Sequence, residues 1–203
     1  MKHILIVGAG GIGSHLCREL IFDVEQKMIS PKELAITIQD FDTISPEQTM
    51  YQWFDIKDSG ETKAEMLSLK LRMGNIEAND ITRVFEKSTK LRDKGYDLVV
   101  MCVDNHPVRE IIIRKCWAQD VPFIDLRCEG RKVFYCTKGR NLIENLAYLN
   151  PNDREHGSCQ LEEDKRSGRI QKGNRLIALI GSQLIVDFLR GEKIDGKIQS
   201  ITI

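Results

Sequence analysis

The chain has 203 residues, with 30 Lys and Arg against 30 Asp and Glu and a formal net charge of zero. That length fits one domain, and an apolar fraction of 41% supports a sizeable core. The charge balance gives no basis for a nucleic-acid partner held by general electrostatics, and no apolar run approaches the length that spans a bilayer.

The first element is a short apolar strand over residues 2–7. It begins so close to the first residue that no leader peptide is expected, and a cytoplasmic location follows as an expectation. The strand runs into Gly8-Ala9-Gly10-Gly11-Ile12-Gly13-Ser14 and then a long helix predicted over residues 11–28. Gly8, Gly10 and Gly13 fit G-x-G-x-x-G, and Gly11 leaves the loop barer still. Residues without a Cβ let backbone amides approach a phosphate, and the helix aims its positive end at the same place. A nucleotide site at this turn is the first functional expectation.

Pro31 breaks the helix, and residues 34–40 read as the second strand, ending in Asp40. An irregular stretch follows over residues 41–60. A helix is predicted over 62–73, a weaker strand near 81–86 and a clear buried strand over 96–103. Pro107 opens another helix, with Asp104 or Asn105 as its cap. Strands are expected at 121–126 and 132–136. Residues 137–174 hold few apolar side chains and many charges, and are expected to form a flexible crossover loop or flap. The apolar run 176–189 reads as a buried helix or a face for homodimerisation, and residues 197–203 as a closing strand. The alternation predicts one α/β domain over residues 1–203: a Rossmann-like, mostly parallel sheet with helices on both faces.

Four local features carry chemistry. Asp40, at the end of the second strand, can hold ribose hydroxyls. Asp42, two residues on, reads by itself as a turn residue capping its own backbone. Lys63 stands in the first turn of a helix, where a cation opposes the helix dipole unless it meets an anion such as phosphate. Asp104 directly follows an apolar strand, on the rim where parallel sheets bind ligands. A carboxylate there can hold Mg²⁺ together with substrate phosphates. The six cysteines include no C-x-x-C pair, so free thiols and no structural zinc are expected. Cys17 and Cys102 read as core residues.

The order and spacing of these pieces resemble the ThiF/MoeB-type adenylating enzymes, the superfamily of the ubiquitin-activating enzymes. The matching residues are Gly8 to Ser14, Asp40-Phe41-Asp42-Thr43-Ile44, Gly60-Glu61-Thr62-Lys63, Cys102-Val103-Asp104-Asn105 with Arg109, and Glu129-Gly130. The resemblance implies ATP-dependent adenylation, with Mg²⁺, of the C-terminal carboxylate of a small ubiquitin-like or sulfur-carrier protein or a peptide. It implies a nucleotide site of Gly8, Gly10, Gly11, Gly13, Asp40, Asp42, Gln48 and Lys63, with Lys63 on the phosphates and Asp104 on the metal. Gln48 and Tyr51 stand where the family carries an Asn and an Arg, so one cationic contact is replaced by a phenol. Some relatives pass the acyl group to a cysteine. Cys159, three residues after His156, is the candidate here, and Cys128 is a weaker one. Arg109 is expected to pair with nearby carboxylates. Two other classes share parts of the pattern: a nicotinamide or flavin oxidoreductase, which needs only the glycine loop and Asp40, and a non-catalytic nucleotide-binding relative, for which Tyr51 speaks.

Overall fold

The computed structural model describes residues 1–86, 90–129, 131–147, 166 and 172–202. Strand β1 (Lys2–Val7) leads into helix α1 (Gly11–Glu25), and a short 3₁₀ turn (Pro31–Glu33) precedes β2 (Leu34–Gln39), which leads into an irregular segment with two more such turns, Pro46–Met50 and Ile56–Asp58. Helix α2 (Lys63–Met73), β3 (Glu77–Ile81), β4 (Leu98–Met101), α3 (His106–Ala118), β5 (Phe123–Glu129), β6 (Lys132–Thr137), α4 (Leu142–Ala147), α5 (Gly173–Leu189) and β7 (Ile198–Thr202) follow. The strands form one seven-stranded sheet in the order β3-β2-β1-β4-β5-β6-β7. The first five of these are parallel, and β6 and β7 run antiparallel. The expected α/β architecture is therefore present.

β1 is apolar at every position from Ile4 to Val7 because both its faces are covered. Alternation then splits it between two cores. Ile4 and Ile6 join Ile36, Ile38, Leu98 and Val100 under α1, α2 and α5. Leu5 and Val7 join Val99, Met101 and Phe123 under α3. Helix α5 packs one face into the first core. Ile177, Ala178, Leu184 and Ile185 face the first core, and the helix comes so close to β5 that a Cβ on Gly181 would lie 2.5 Å from Leu126. Its apolar density is accounted for inside the chain, with Leu179 left exposed.

Three expectations change. The third strand is Glu77–Ile81 rather than 81–86. It starts directly after Gly74 closes α2 and pairs with β2 from Ala35 to Gln39. As the sheet's edge it needs little apolar character, so its Glu-Ala-Asn-Asp sequence gave no strand signal. Helix α1 ends at Glu25, before Lys27 at φ 60°. Within 137–174, β6 reaches Thr137 and residues Leu142–Ala147 form α4. There the buried Asn145 accepts from Trp117 Nε1 at 3.0 Å and donates to the Thr137 carbonyl at 2.9 Å. Residues 148–165 and 167–171 of the expected flap lie outside the described residues.

The glycine loop is fixed by backbone crowding. Gly8 has φ +99°, and a Cβ there would meet the Cys102 carbonyl at 2.8 Å. A Cβ on Gly13 would overlap the Gly8 carbonyl oxygen. Gly13→Ala is therefore expected to destabilise the chain by about 1–3 kcal/mol, as overpacking does, and to lower Tm by roughly 3–10 °C. A thermal melt checks this, and an unchanged Tm would show that the loop is not tightly closed.

Candidate nucleotide site

Strand ends β1, β2 and β4 meet at one rim, and a cavity of about 440 Å³ opens above them. Its lining includes Gly8, Gly10, Gly11, Asp40, Asp42, Gln48, Tyr51, Lys63 and Asp104. That volume lies in the range of small-molecule sites. Gly13 is packed beneath the loop on the Gly8 carbonyl rather than in the lining.

Asp40 ties the rim together. One carboxylate oxygen accepts the Ala9 N–H at 2.6 Å, and the other accepts the Asp42 N–H at 2.8 Å. So Asp40, not Asp42, caps this turn, which corrects the reading from sequence. Burial pushes the Asp40 carboxyl up, and the two backbone donors and Lys63 pull against that. A carboxylate offers about four acceptor positions. Two are occupied, which leaves two for a vicinal diol.

Asp42 serves Lys63. The Lys63 ammonium lies 3.0 Å from Asp42 Oδ2, and the Lys63 N–H donates to the Asp42 carbonyl at 2.9 Å. Lys63 is only 3% exposed, whereas the Asp42 side chain is half exposed. A buried cation at a helix start would be unfavourable alone. The Thr43–Thr62 bridge and the Ile44 N–H to Glu61 carbonyl bond at 2.9 Å hold the two segments side by side. Among the described residues, Lys63 and Arg83 are the cationic side chains in the cavity lining.

Asp104 is exposed in the same lining, in the turn that follows β4. Asn105, not Asp104, caps α3, its Oδ1 accepting the Val108 N–H at 3.1 Å. Asp104 is thus left for the cavity. Arg109 lies beneath this turn and is buried. Its guanidinium meets Asp125 at 3.0 Å and donates to the Val103 carbonyl, so the expected carboxylate partner is Asp125. Burial pushes the Asp125 carboxyl up, but Arg127 and Arg109 outweigh it and hold it below the usual range. Among the described residues no group of three or more His, Cys, Asp and Glu could hold a metal. Mg²⁺ needs only one or two carboxylates when phosphates supply the rest, and Asp104 fits that role.

Of the cysteine candidates, Cys128 is buried in the first core. Cys159 and His156 lie outside the described residues. Cys17 and Cys102 are buried as expected, and burial raises the Cys17 thiol far above its ordinary value.

Sequence reasoning missed the residues behind the loop. Trp53 N–H donates to Ser14 Oγ at 3.0 Å, and His15 Nε2 lies 3.2 Å from the Tyr51 carbonyl. These bonds fold the segment carrying Tyr51 and Gln52 over the start of α1. Asn174, at the start of α5, packs against Gly11 where any side chain would overlap it. No spacing rule links residues 52 and 174, so only the fold brings them near one loop. Arg83, Val84 and Phe85 complete the wall beyond β3. They were missed because the strand itself was misplaced.

A profile of the ThiF family matches residues 1–201. No curated protein matches the chain. Among solved structures, PaaA superposes with TM-score 0.71 at 13% identity, over 100% of this chain and 61% of PaaA. E. coli MccB, crystallised with AMPCPP and MccA, gives TM-score 0.69 at 16% identity, over 99% of this chain and 63% of MccB. E. coli tRNA N6-threonylcarbamoyladenosine dehydratase, TcdA, in complex with AMP, gives 0.68 at 15% identity, over 94% and 86%. The chain thus spans about three fifths of the length of PaaA and MccB.

His15 generates a pH test. Burial first, then the Arg175 charge, lowers its pKa from 6.5 to about 4, against the pull of the Tyr51 carbonyl. The unfolded chain binds the extra proton between those values, so stability falls as pH drops from about 6.5 to about 4. The full loss is about 3 kcal/mol. Urea midpoints followed over that range should show this slope in the native chain and lose it in His15→Gln. An identical slope in both would assign the effect elsewhere.

Proposed function

The chain belongs to the ThiF family, and on that footing we propose that it activates a carboxylate with ATP. The acid is the C-terminus of a small ubiquitin-like or sulfur-carrier protein or of a peptide. A carboxylate oxygen attacks the α-phosphorus, the bond to the β-phosphate oxygen breaks, and acyl-adenylate and pyrophosphate result. Positioning and charge neutralisation are the protein's tasks in such a step.

The observation that carries this reading is the convergence of Lys63, Asp40 and Asp104 on one cavity over the glycine loop. Asp40 would take the ribose hydroxyls through its two remaining acceptor positions. The glycine-loop amides and the start of α1 would face the phosphates. Lys63 would exchange its Asp42 partner for a phosphate oxygen, a short move from one anion to another. Mg²⁺ held at Asp104 would neutralise charge on the departing pyrophosphate. The nucleotides in the MccB and TcdA structures, AMPCPP and AMP, support the choice of an adenine nucleotide.

The oxidoreductase alternative fits less well. A dinucleotide fold uses two mononucleotide halves, each of parallel strands, across a mostly parallel sheet. Here the sheet ends in the antiparallel β5-β6-β7 meander, so the second half is replaced. A second reading, nucleotide binding without transfer, is favoured by Tyr51, which lines the cavity in place of a cation.

Exchange of labelled pyrophosphate into ATP tests the proposal, with carboxylate-ended peptides such as N-acetylglycylglycine as acids. Exchange should require both Mg²⁺ and the acid. Lys63→Met should reduce it by roughly 10²-fold or more, as loss of a charge-stabilising contact does, and Asp104→Asn should raise the Mg²⁺ requirement. Tight ATP binding without exchange across the acids would establish the second reading. Hydride transfer from bound NADH would overturn both.

A further inference from the structure

The starts of two long helices meet beside the glycine loop, and no acid neutralises either. Helix α1 begins at Gly11 and α5 at Gly173, and neither has a side-chain cap bond or an acidic residue in its first turn. Asn174, in the first turn of α5, packs against Gly11 so closely that an added Cβ there would overlap its amide. The positive ends of both helices therefore stand at one junction.

Buried amides at this junction are unbonded. Gln52 lines the cavity and is 8% exposed, and its Oε1 has no hydrogen-bond partner among the described residues. Asn174 is 1% exposed, and neither its Nδ2 nor its Oδ1 has one. Buried polar atoms are normally bonded, and an unbonded one is unfavourable. Each amide can present its N–H₂ by half a turn about its last torsion.

Arg175 brings a cation to the same place. It follows Asn174 in the first turn of α5, where the helix dipole disfavours positive charge. Arg175 is exposed, and among the described residues no carboxylate pairs with it. Arg18, by contrast, is held by Glu19 at 3.0 Å. Burial, and next the Arg175 charge, lowers the His15 pKa, so the guanidinium lies within electrostatic reach of that ring. His15 is one turn along α1 from Gly11. Its Nε2 lies 3.2 Å from the carbonyl of Tyr51, a residue of the cavity lining. Arg175 thus stands at the Gly11 edge of the cavity, across His15 from Tyr51.

Charge balance gives this cation a task. A ribose on Asp40, at the end of β2, puts the phosphates over the end of β1 and the terminal ones furthest from Asp40. Of the two cations in the lining, Arg83 follows β3, two strand spacings or about 10 Å from β1, and so lies on the ribose and base side. Lys63 is left alone with the phosphates. A triphosphate keeps a net negative charge after Mg²⁺ and one lysine have met it.

We propose that Arg175 is a further catalytic residue, whose guanidinium binds the β- and γ-phosphates and neutralises the departing pyrophosphate. This rests on the carboxylate-activation reading and deepens it. When the bond between the α-phosphorus and the bridging oxygen breaks, its electron pair stays on that oxygen and leaves with the pyrophosphate. The planar fork of an arginine meets two phosphate oxygens at once.

The test uses the full chain with Mg²⁺ and two probes: AMPCPP, which carries the terminal phosphates, and AMP, which lacks them. Calorimetry gives both affinities. Arg175→Met and Arg175→Gln should weaken AMPCPP at least about tenfold, the equivalent of one lost charge-assisted hydrogen bond, and leave AMP unchanged. Because the ratio between the probes is internal to each protein, it reads phosphate contact rather than folding, and two variants guard against one that fails to fold. The loss should persist in about 0.5 M KCl, where the Debye length of about 4 Å screens a distant charge but not a contact. In the same variants, exchange of pyrophosphate into ATP should fall by roughly 10²-fold. An unchanged ratio in both variants, or a loss that vanishes in high salt, would overturn the assignment. Loss of AMPCPP affinity in the variants, with no exchange in the native chain, would retain the phosphate contact and reject the adenylation reading. A native chain that binds neither probe would overturn both.

Discussion

The two bonds accepted by Asp40 hold this site together. One fastens the Ala9 amide in the glycine loop, and the other fastens the Asp42 amide in the following turn. Without that bridge the loop at the end of β1 and the acidic turn at the end of β2 would be separate surface features. With it, Asp42 is placed to receive Lys63, and the starts of α1 and α2 line one cavity. The same carboxylate keeps half of its acceptor capacity toward the cavity. A single half-buried acid thus sets the geometry of the pocket and presents a binding group to it.

The surroundings of that bridge are arranged against local preference. Lys63 is a buried cation at the positive end of a helix. Asp40 is a carboxylate whose ionised form burial disfavours. His15, Gln52 and Asn174 keep polar atoms unbonded. Such conflicts between local chemistry and the folded state concentrate at functional sites. The Arg109–Asp125–Arg127 cluster differs in that its charges are paired inside the protein. It fixes the Val103 carbonyl and so the direction in which the chain leaves β4 toward Asp104.

Much of this was legible in the residues. The apolar run of β1, the glycine loop, Asp40, Lys63 and Asp104 carry signals that depend only on neighbours in sequence, because strand ends and helix starts fix where such residues point. The polar edge strand β3 was displaced by several positions, since an edge needs pairing rather than apolar character. The six-residue α4 is held by Asn145 bonding to Trp117 and to the Thr137 carbonyl, a partnership that no local pattern announces. The turn cap was read at Asp42 and lies at Asp40, because either acid can accept a backbone N–H there, and only the positions of Ala9 and Lys63 decide between them. Gln52 and Asn174 became visible only when distant segments met over Gly10 and Gly11.

The central claim is that a nucleoside triphosphate is seated by this bridge between the glycine loop and Lys63. A crystal structure with AMPCPP and Mg²⁺ tests it most directly. The account predicts the ribose hydroxyls on Asp40, a phosphate oxygen within about 3 Å of the Lys63 ammonium, and the metal between Asp104 and the phosphates. A nucleotide bound elsewhere, or one lying in the cavity with its phosphates turned away from Lys63 and Asp104, would contradict it.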